Sequence, residues 1–90
     1  MLKQLIAMAF RLVLTRKFQK ELEKVDSRYL PRIKTVLLSL QDDPYLGKKL
    51  EGELADLRSY RIGPYRILYK IKQKELIVLV ITIGHRQGVY

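Results

Sequence analysis

Cysteine is absent from this 90-residue chain and histidine occurs once, so disulfides, thiolate metal sites and a multi-histidine metal cluster are excluded. Prolines number three and glycines five, too few for a disordered or low-complexity segment. No internal repeat is visible. No uninterrupted apolar run is longer than that of residues 76–81, which falls far short of the about 20 residues that span a membrane. The opening residues resemble a signal peptide only loosely: Gln4 and Arg11 interrupt the apolar stretch, and residues 15–24 offer no cleavage region. Secretion is therefore not expected, and the cytoplasm is the expected compartment. P-loop, dinucleotide fingerprint, nucleophile elbow and metal-binding constellation are all missing. Acid is scarce in one place above all, for residues 57–90 contain a single carboxylate, Glu75.

What is present is a globular composition, 48% hydrophobic and 30% charged. A chain of this size buries roughly 60–65% of its unfolded surface, enough for one modest core. A single domain over residues 1–90 is expected, with residues 1–7 as an N-terminal extension. The net charge of +9 is segregated along the chain. Residues 1–41 hold nine bases and three acids, residues 42–56 two bases and five acids, and residues 57–90 seven bases and one acid. Solvated basic faces are common in small proteins. Here, however, Arg58, Arg61, Arg66, Lys70, Lys72, Lys74 and Arg86 fall among short apolar strands and should share a small surface. Such a surface attracts an anionic partner, and RNA is the expectation.

Residues 8–14 mix apolar and β-branched side chains and end at Thr15, a good helix N-cap; they read as a first strand. From Arg16 the period becomes helical. Phe18, Leu22 and Val25 line one face and leave Lys17, Lys20, Glu21 and Lys24 in water, with the helix ending near Asp26. Ser27 can cap a second helix that tolerates Pro31 in its first turn and carries Leu30, Ile33, Val36, Leu37 and Leu40 as its stripe. Asp42, Asp43 and Pro44 stop it. So tight a connection predicts an antiparallel helical hairpin. Residues 45–56 read as a surface connection.

Beyond residue 56 the period is two. Strands are predicted at residues 57–62, 65–71 and 75–83, giving an α+β fold in which this three-strand antiparallel meander and the N-terminal strand form one four-stranded sheet packed on the helices. The Gly63–Pro64 turn sets a register in which Ile62 faces Tyr65, Arg61 faces Arg66, Tyr60 faces Ile67 and Ser59 faces Leu68. Ile62, Tyr65, Tyr60, Ile67 and Tyr69 then share the helix-facing side, and Arg61, Arg66, Ser59, Leu68 and Lys70 the other. Two arginines directly opposite each other repel, at a cost of several tenths of a kcal/mol on the scale of about 0.2–1 kcal/mol for cross-strand pairs. Either Glu51 or Glu53 compensates them, or they share a phosphate. After the last strand, His85, Arg86 and Tyr90 bring an imidazole, a guanidinium and a phenol to one end. Those groups suit RNA cleavage: a base takes the 2′-OH proton, an acid protonates the departing 5′-oxygen, and cations stabilise the phosphorane.

The run LRSYRIGPYRILYKI, an apolar strand and then IGHRQGVY resemble the RelE/ParE toxin superfamily, with its G-x-Y-R turn and a G-H-R step before a terminal V-Y; KKLEGEL matches the preceding connection. The resemblance covers roughly residues 8–90. It implies a RelE-like mRNA interferase of a type II toxin–antitoxin system: a ribosome-dependent endoribonuclease that cuts mRNA in the A site, needs no metal or small-molecule cofactor, and is neutralised by a cognate antitoxin. An acidic antitoxin follows from the charge. By the same resemblance Arg66 and Arg86 stabilise phosphate, Arg61 clamps substrate and Tyr90 stacks on a base. His85, with an ordinary pKa of about 6.5, is the proton-transfer candidate. Ser59 stands where the family has a second alternating base, a departure that leaves the general base open. Arg58, Ser59, Lys70, Lys48 and Lys49 are the expected RNA-binding residues, and Lys17, Lys20, Arg28 and Lys34 are either solvated or hold rRNA. No membrane partner is expected. The same scaffold also serves ParE-like gyrase inhibitors and would serve an inactive nucleic-acid-binding member.

Overall fold

The protein is seen in a computed structural model that describes residues 10–85. The predicted extension over residues 1–7 and the predicted strand start at Met8 lie outside those residues. Strand β1, Arg11–Leu14, leads directly into helix α1, Arg16–Leu22. Thr15 makes that junction. Its Oγ1 accepts a hydrogen bond from the Phe18 amide at 3.0 Å, the expected N-cap, and donates at 2.7 Å to the carbonyl of Ile81. One hydroxyl thus starts the helix and fastens it to the sheet.

Helix α1 ends four residues before the expected Asp26, in a turn closed by bonds from the Lys24 and Val25 amides to the Glu21 and Leu22 carbonyls. A 3-10 turn at Ser27–Tyr29 follows, and its cap is Asp26 rather than Ser27: the carboxylate accepts from the Arg28 amide at 3.0 Å. Helix α2, Leu30–Asp42, carries Pro31 in its first turn, where no intrahelical amide is lost, and buries Ile33, Leu37 and Leu40.

The strands are β2, Lys48–Lys49; β3, Leu57–Ile62; β4, Tyr65–Lys72; and β5, Ile77–His85. They form one sheet ordered β1-β5-β4-β3-β2, in which β1 runs parallel to β5 and every other neighbour is antiparallel. The strand, helical hairpin and three-strand meander stand in the expected order. The sheet has five strands rather than four, because Lys48 and Lys49 pair with Ser59 and Arg58. Residues 45–56 are likewise more than a surface connection: Pro44, Gly47 and Leu50 are buried. The buried Tyr69 hydroxyl holds them, donating to the Pro44 carbonyl at 2.6 Å and accepting from the Gly47 amide at 2.9 Å. A Cβ at residue 47 would stand 2.3 Å from that oxygen, so only glycine fits.

The helices cover one side of the sheet. Phe18, Ile33, Leu37 and Leu40 meet Ile62, Tyr65, Ile67, Tyr69, Val78, Val80 and Ile83 in a single core. Along β5 the pairing with β4 slips by one residue, so Ile81 has no partner in that ladder and its carbonyl receives Thr15. Because β1 stops at Leu14, the edge of β5 beyond it is open to a side chain. Glu21 fills it, accepting from the Thr82 hydroxyl at 2.5 Å and the Ile83 amide at 3.1 Å; it is not the free solvated acid expected from helical spacing. No helix among the described residues is long and apolar enough to cross a membrane.

Candidate functional site

Strand alternation divides the functional candidates between the two sides of the sheet. The Gly63–Pro64 turn, with Gly63 at φ 56°, sets the expected register: Ile62 opposite Tyr65, Arg61 opposite Arg66, Ser59 opposite Leu68. Gly63 is needed twice over, since a Cβ there would also come within 2.6 Å of the Tyr29 ring.

On the side away from the helices the rows run across the strands. Lys48, Ser59, Leu68 and Thr82 form a central row, in which Ser59, Leu68 and Thr82 are buried. The next row is Arg61, Arg66 and Gly84, so two guanidinium-bearing residues stand beside a position with no side chain. On the other side of the central row Lys70 lies opposite Leu57. Lys70 is 3.8 Å from Asp56, an exposed pair that offsets little of its charge. Glu51 and Glu53 do not neutralise Arg61, which is exposed and has no acidic partner among the described residues.

The remaining candidates stand elsewhere. Arg58 shares the helix-facing side with Tyr60 and Ile62. Its Nη1 donates to the Gly47 carbonyl at 2.8 Å and to that of Tyr45 at 3.4 Å, while its guanidinium lies 5.1 Å from the Tyr45 ring centroid. Those contacts fix the 45–56 connection, so Arg58 is occupied structurally. Lys49 lies opposite Arg58 and alternates away from Lys48. His85 lies opposite Tyr65, with its ring 5.2 Å away, and borders a cavity with Glu21, Lys24 and Val25. That is the helix side, so the imidazole is not brought to the Arg61–Arg66 row. Arg86 and Tyr90 lie outside the described residues.

A cluster at the turn end went unread in the sequence. The hydroxyl of Tyr65 accepts from the Asp26 amide at 3.0 Å, and its ring receives Tyr29 edge-on at 5.5 Å. Arg28 and Arg32 approach Tyr29 at 5.9 and 5.8 Å. Arg28 also grips Asp26 at 2.7 Å; its hydrogen bonds hold the Asp26 carboxyl below the usual range and raise its own pKa. Burial raises the pKa of the Tyr69 phenol. The spacing of Arg28, Tyr29 and Arg32 was the available signal, since residues three apart on a helix are neighbours.

Comparison with known proteins agrees with this architecture. A family model described as the ParE toxin of a type II toxin–antitoxin system, parDE, matches residues 12–90. Toxin RelG of Mycobacterium tuberculosis is 32% identical over 74 residues, which is 80% of this chain and 85% of that protein. A chain of the RelBE2 toxin–antitoxin complex from the same organism superposes with a TM-score of 0.78 at 30% identity, over 87% of this chain and 99% of that one. The isolated RelE toxin of E. coli gives 0.76 at 25% identity, over 86% and 84% of the two chains. With a family model running from β1 to the last residue and a curated relative above 30% identity, this chain belongs to the RelE/ParE superfamily of type II toxin–antitoxin toxins.

Proposed function

We propose that this toxin is an mRNA endoribonuclease of the RelE kind, cutting message in the ribosomal A site. The observation that carries the reading is the Arg61–Arg66 pair on the side of the sheet away from the helices, which Lys48 and Lys70 share. In the proposed step the substrate's 2′-hydroxyl gives up its proton to solvent, its oxygen attacks the adjacent phosphorus, the P–O5′ bond breaks, and the departing 5′-oxygen takes a proton from solvent, leaving a cyclic phosphate and a 5′-hydroxyl. Negative charge builds on the phosphorane oxygens. Planar guanidinium forks meet such oxygens two at a time and supply the cationic stabilisation that other nucleases take from metal ions. Arg66 stabilises the phosphorane and Arg61 clamps the strand. Gly84, beside Arg66, leaves that end of the row without a side chain. Arg86 and Tyr90 keep the phosphate and stacking roles that the resemblance assigns them. Lys48 and Lys70, both on the Ser59 side of that row, contact the neighbouring backbone, and the buried Ser59 is assigned no contact. His85 is assigned no proton transfer, because its ring lies against Tyr65 on the helix side.

The partner in this reading is a cognate acidic antitoxin, supported by the charge of +9 and by similarity to a chain of a toxin–antitoxin complex. The site of action is the cytoplasm, where the ribosomes are. The description of the family model, a ParE toxin, keeps one rival in view: a ParE-like toxin that inhibits gyrase instead of cutting RNA. Induced expression followed by primer extension on cellular mRNA, beside an assay for DNA breaks, separates them. Codon-phased cuts support the nuclease. Gyrase-linked breaks without cuts would replace it with the rival, and neither would leave an inactive member of the fold.

A further inference from the structure

Where the sheet ends at the Gly63–Pro64 turn, a groove of about 420 Å³ lies between the first turns of α2 and the last residues of β3. Arg32 stands on the helical wall and Arg61 on the strand wall. Both are exposed, and neither has an acidic partner among the described residues; Arg32 touches only the Tyr29 ring. The nearby Arg28 differs, because Asp26 compensates it. Between the two arginines the lining is largely apolar, from Pro31, Val36, Tyr60 and Ile62. Strand β2 pairs only with Arg58 and Ser59, so from residue 60 onward this side of β3 has no neighbouring strand among the described residues. The groove therefore opens past the sheet edge and is continuous with the cationic side through Arg61, which lines it and faces Arg66.

Two guanidinium groups without acidic partners among the described residues, with apolar lining and the Tyr60 side chain between them, match the two halves of a nucleotide, a phosphate and a base with its sugar. We propose that this groove is a second RNA subsite, which holds the phosphodiester next to the one at Arg61 and Arg66. Arg32 and Arg61 grip the phosphate, and Tyr60 and Val36 take the sugar and base. The proposal rests on the nuclease reading for the identity of the polyanion. An acidic peptide would satisfy the arginines but would leave the apolar lining with Tyr60 unused, and would not need the continuity with Arg66.

The test measures anisotropy of a short fluorescein-labelled oligouridylate with the purified full chain across a range of salt. Arg32→Gln is compared with Lys34→Gln, which removes the same charge from the same helix but lies outside the groove and lines a different one. Arg32→Gln should weaken binding and lower the slope of log K against log salt by about 0.7, the share of one phosphate contact on a single strand. Lys34→Gln should leave the slope at the wild-type value. Thr35→Glu, which sets a carboxylate in the groove and leaves both arginines in place, should weaken binding further, so the test survives a folding defect in either variant. Equal slopes for Arg32→Gln and Lys34→Gln overturn the subsite. So does a loss of affinity for an oligoglutamate peptide without loss of affinity for RNA. Failure of the wild type to bind the oligonucleotide at low salt also ends the subsite, while the nuclease reading is decided separately by the primer-extension assay.

Discussion

The two sides of the central strands are built from alternate residues of the same segments, yet they do opposite work. Toward the helices, Tyr60, Ile62, Tyr65, Ile67 and Tyr69 pack with Phe18, Ile33, Leu37 and Leu40, and the polar atoms of the tyrosines at 65 and 69 are satisfied by main-chain groups. Away from them, Ser59, Leu68 and Thr82 form a buried strip bordered by Arg61, Arg66, Lys70 and Lys48. Hydrophobic burial scales with area and carries the stability of the first side. The second side carries positive charge along its border in place of apolar area. A period of two lets a chain set these properties independently, residue by residue.

That separation can be broken most forcefully from the core. Phe18→Ala removes a fully buried ring from the meeting point of α1 and the sheet and should cost about 3–5 kcal/mol in urea unfolding. A loss below about 1 kcal/mol would mean that the helix side does not carry the fold. Arg66→Ala tests the other side. Cleavage of mRNA should fall about 100- to 1,000-fold, the effect of deleting one donor to a developing oxyanion. Unchanged codon-phased cutting by that variant would remove Arg66 from the chemistry.

Tyr69→Phe sharpens the comparison with a smaller change. Its ring stays in place while the buried Gly47 amide and Pro44 carbonyl lose their partner, which should cost about 1–3 kcal/mol in stability. A neutral effect would show that water satisfies both groups. The smallest effect is expected at His85. Because its imidazole sits on the helix side, His85→Gln should reduce cleavage less than about tenfold, short of the roughly 10²–10⁴-fold typical of a lost general acid or base. A deeper loss, with a pH–rate limb near neutrality that disappears in the variant, would return the histidine to the chemistry.

Much of this was legible before any coordinate. The Gly-Pro turn dictated the β3–β4 register, and with it the face-to-face Arg61 and Arg66, because a two-residue hairpin leaves no freedom to slip. The helical stripes of α1 and α2 and the N-cap at Thr15 were equally plain. Other features were hidden for definite reasons. Glu21 looks like a solvated helix residue until β1 is seen to stop short and expose the Ile83 amide. Arg58 looks like one more member of the basic cluster, but alternation turns it toward the connection that it fastens. His85 looks like part of the basic cluster in sequence, but strand alternation sets it on the helix side, opposite Tyr65.

Local order, the register of the hairpin and the segregation of charge thus follow from the chain alone, because each depends on residues a few positions apart. Which strand edge is open, which acid closes it and which cations remain uncompensated were decided only when distant segments met. Long-range pairing sets those outcomes: the parallel docking of β1 on β5, and the two-residue β2 that reaches only as far as Ser59 and leaves the edge of β3 beyond it, among the described residues, without a paired strand next to Arg32.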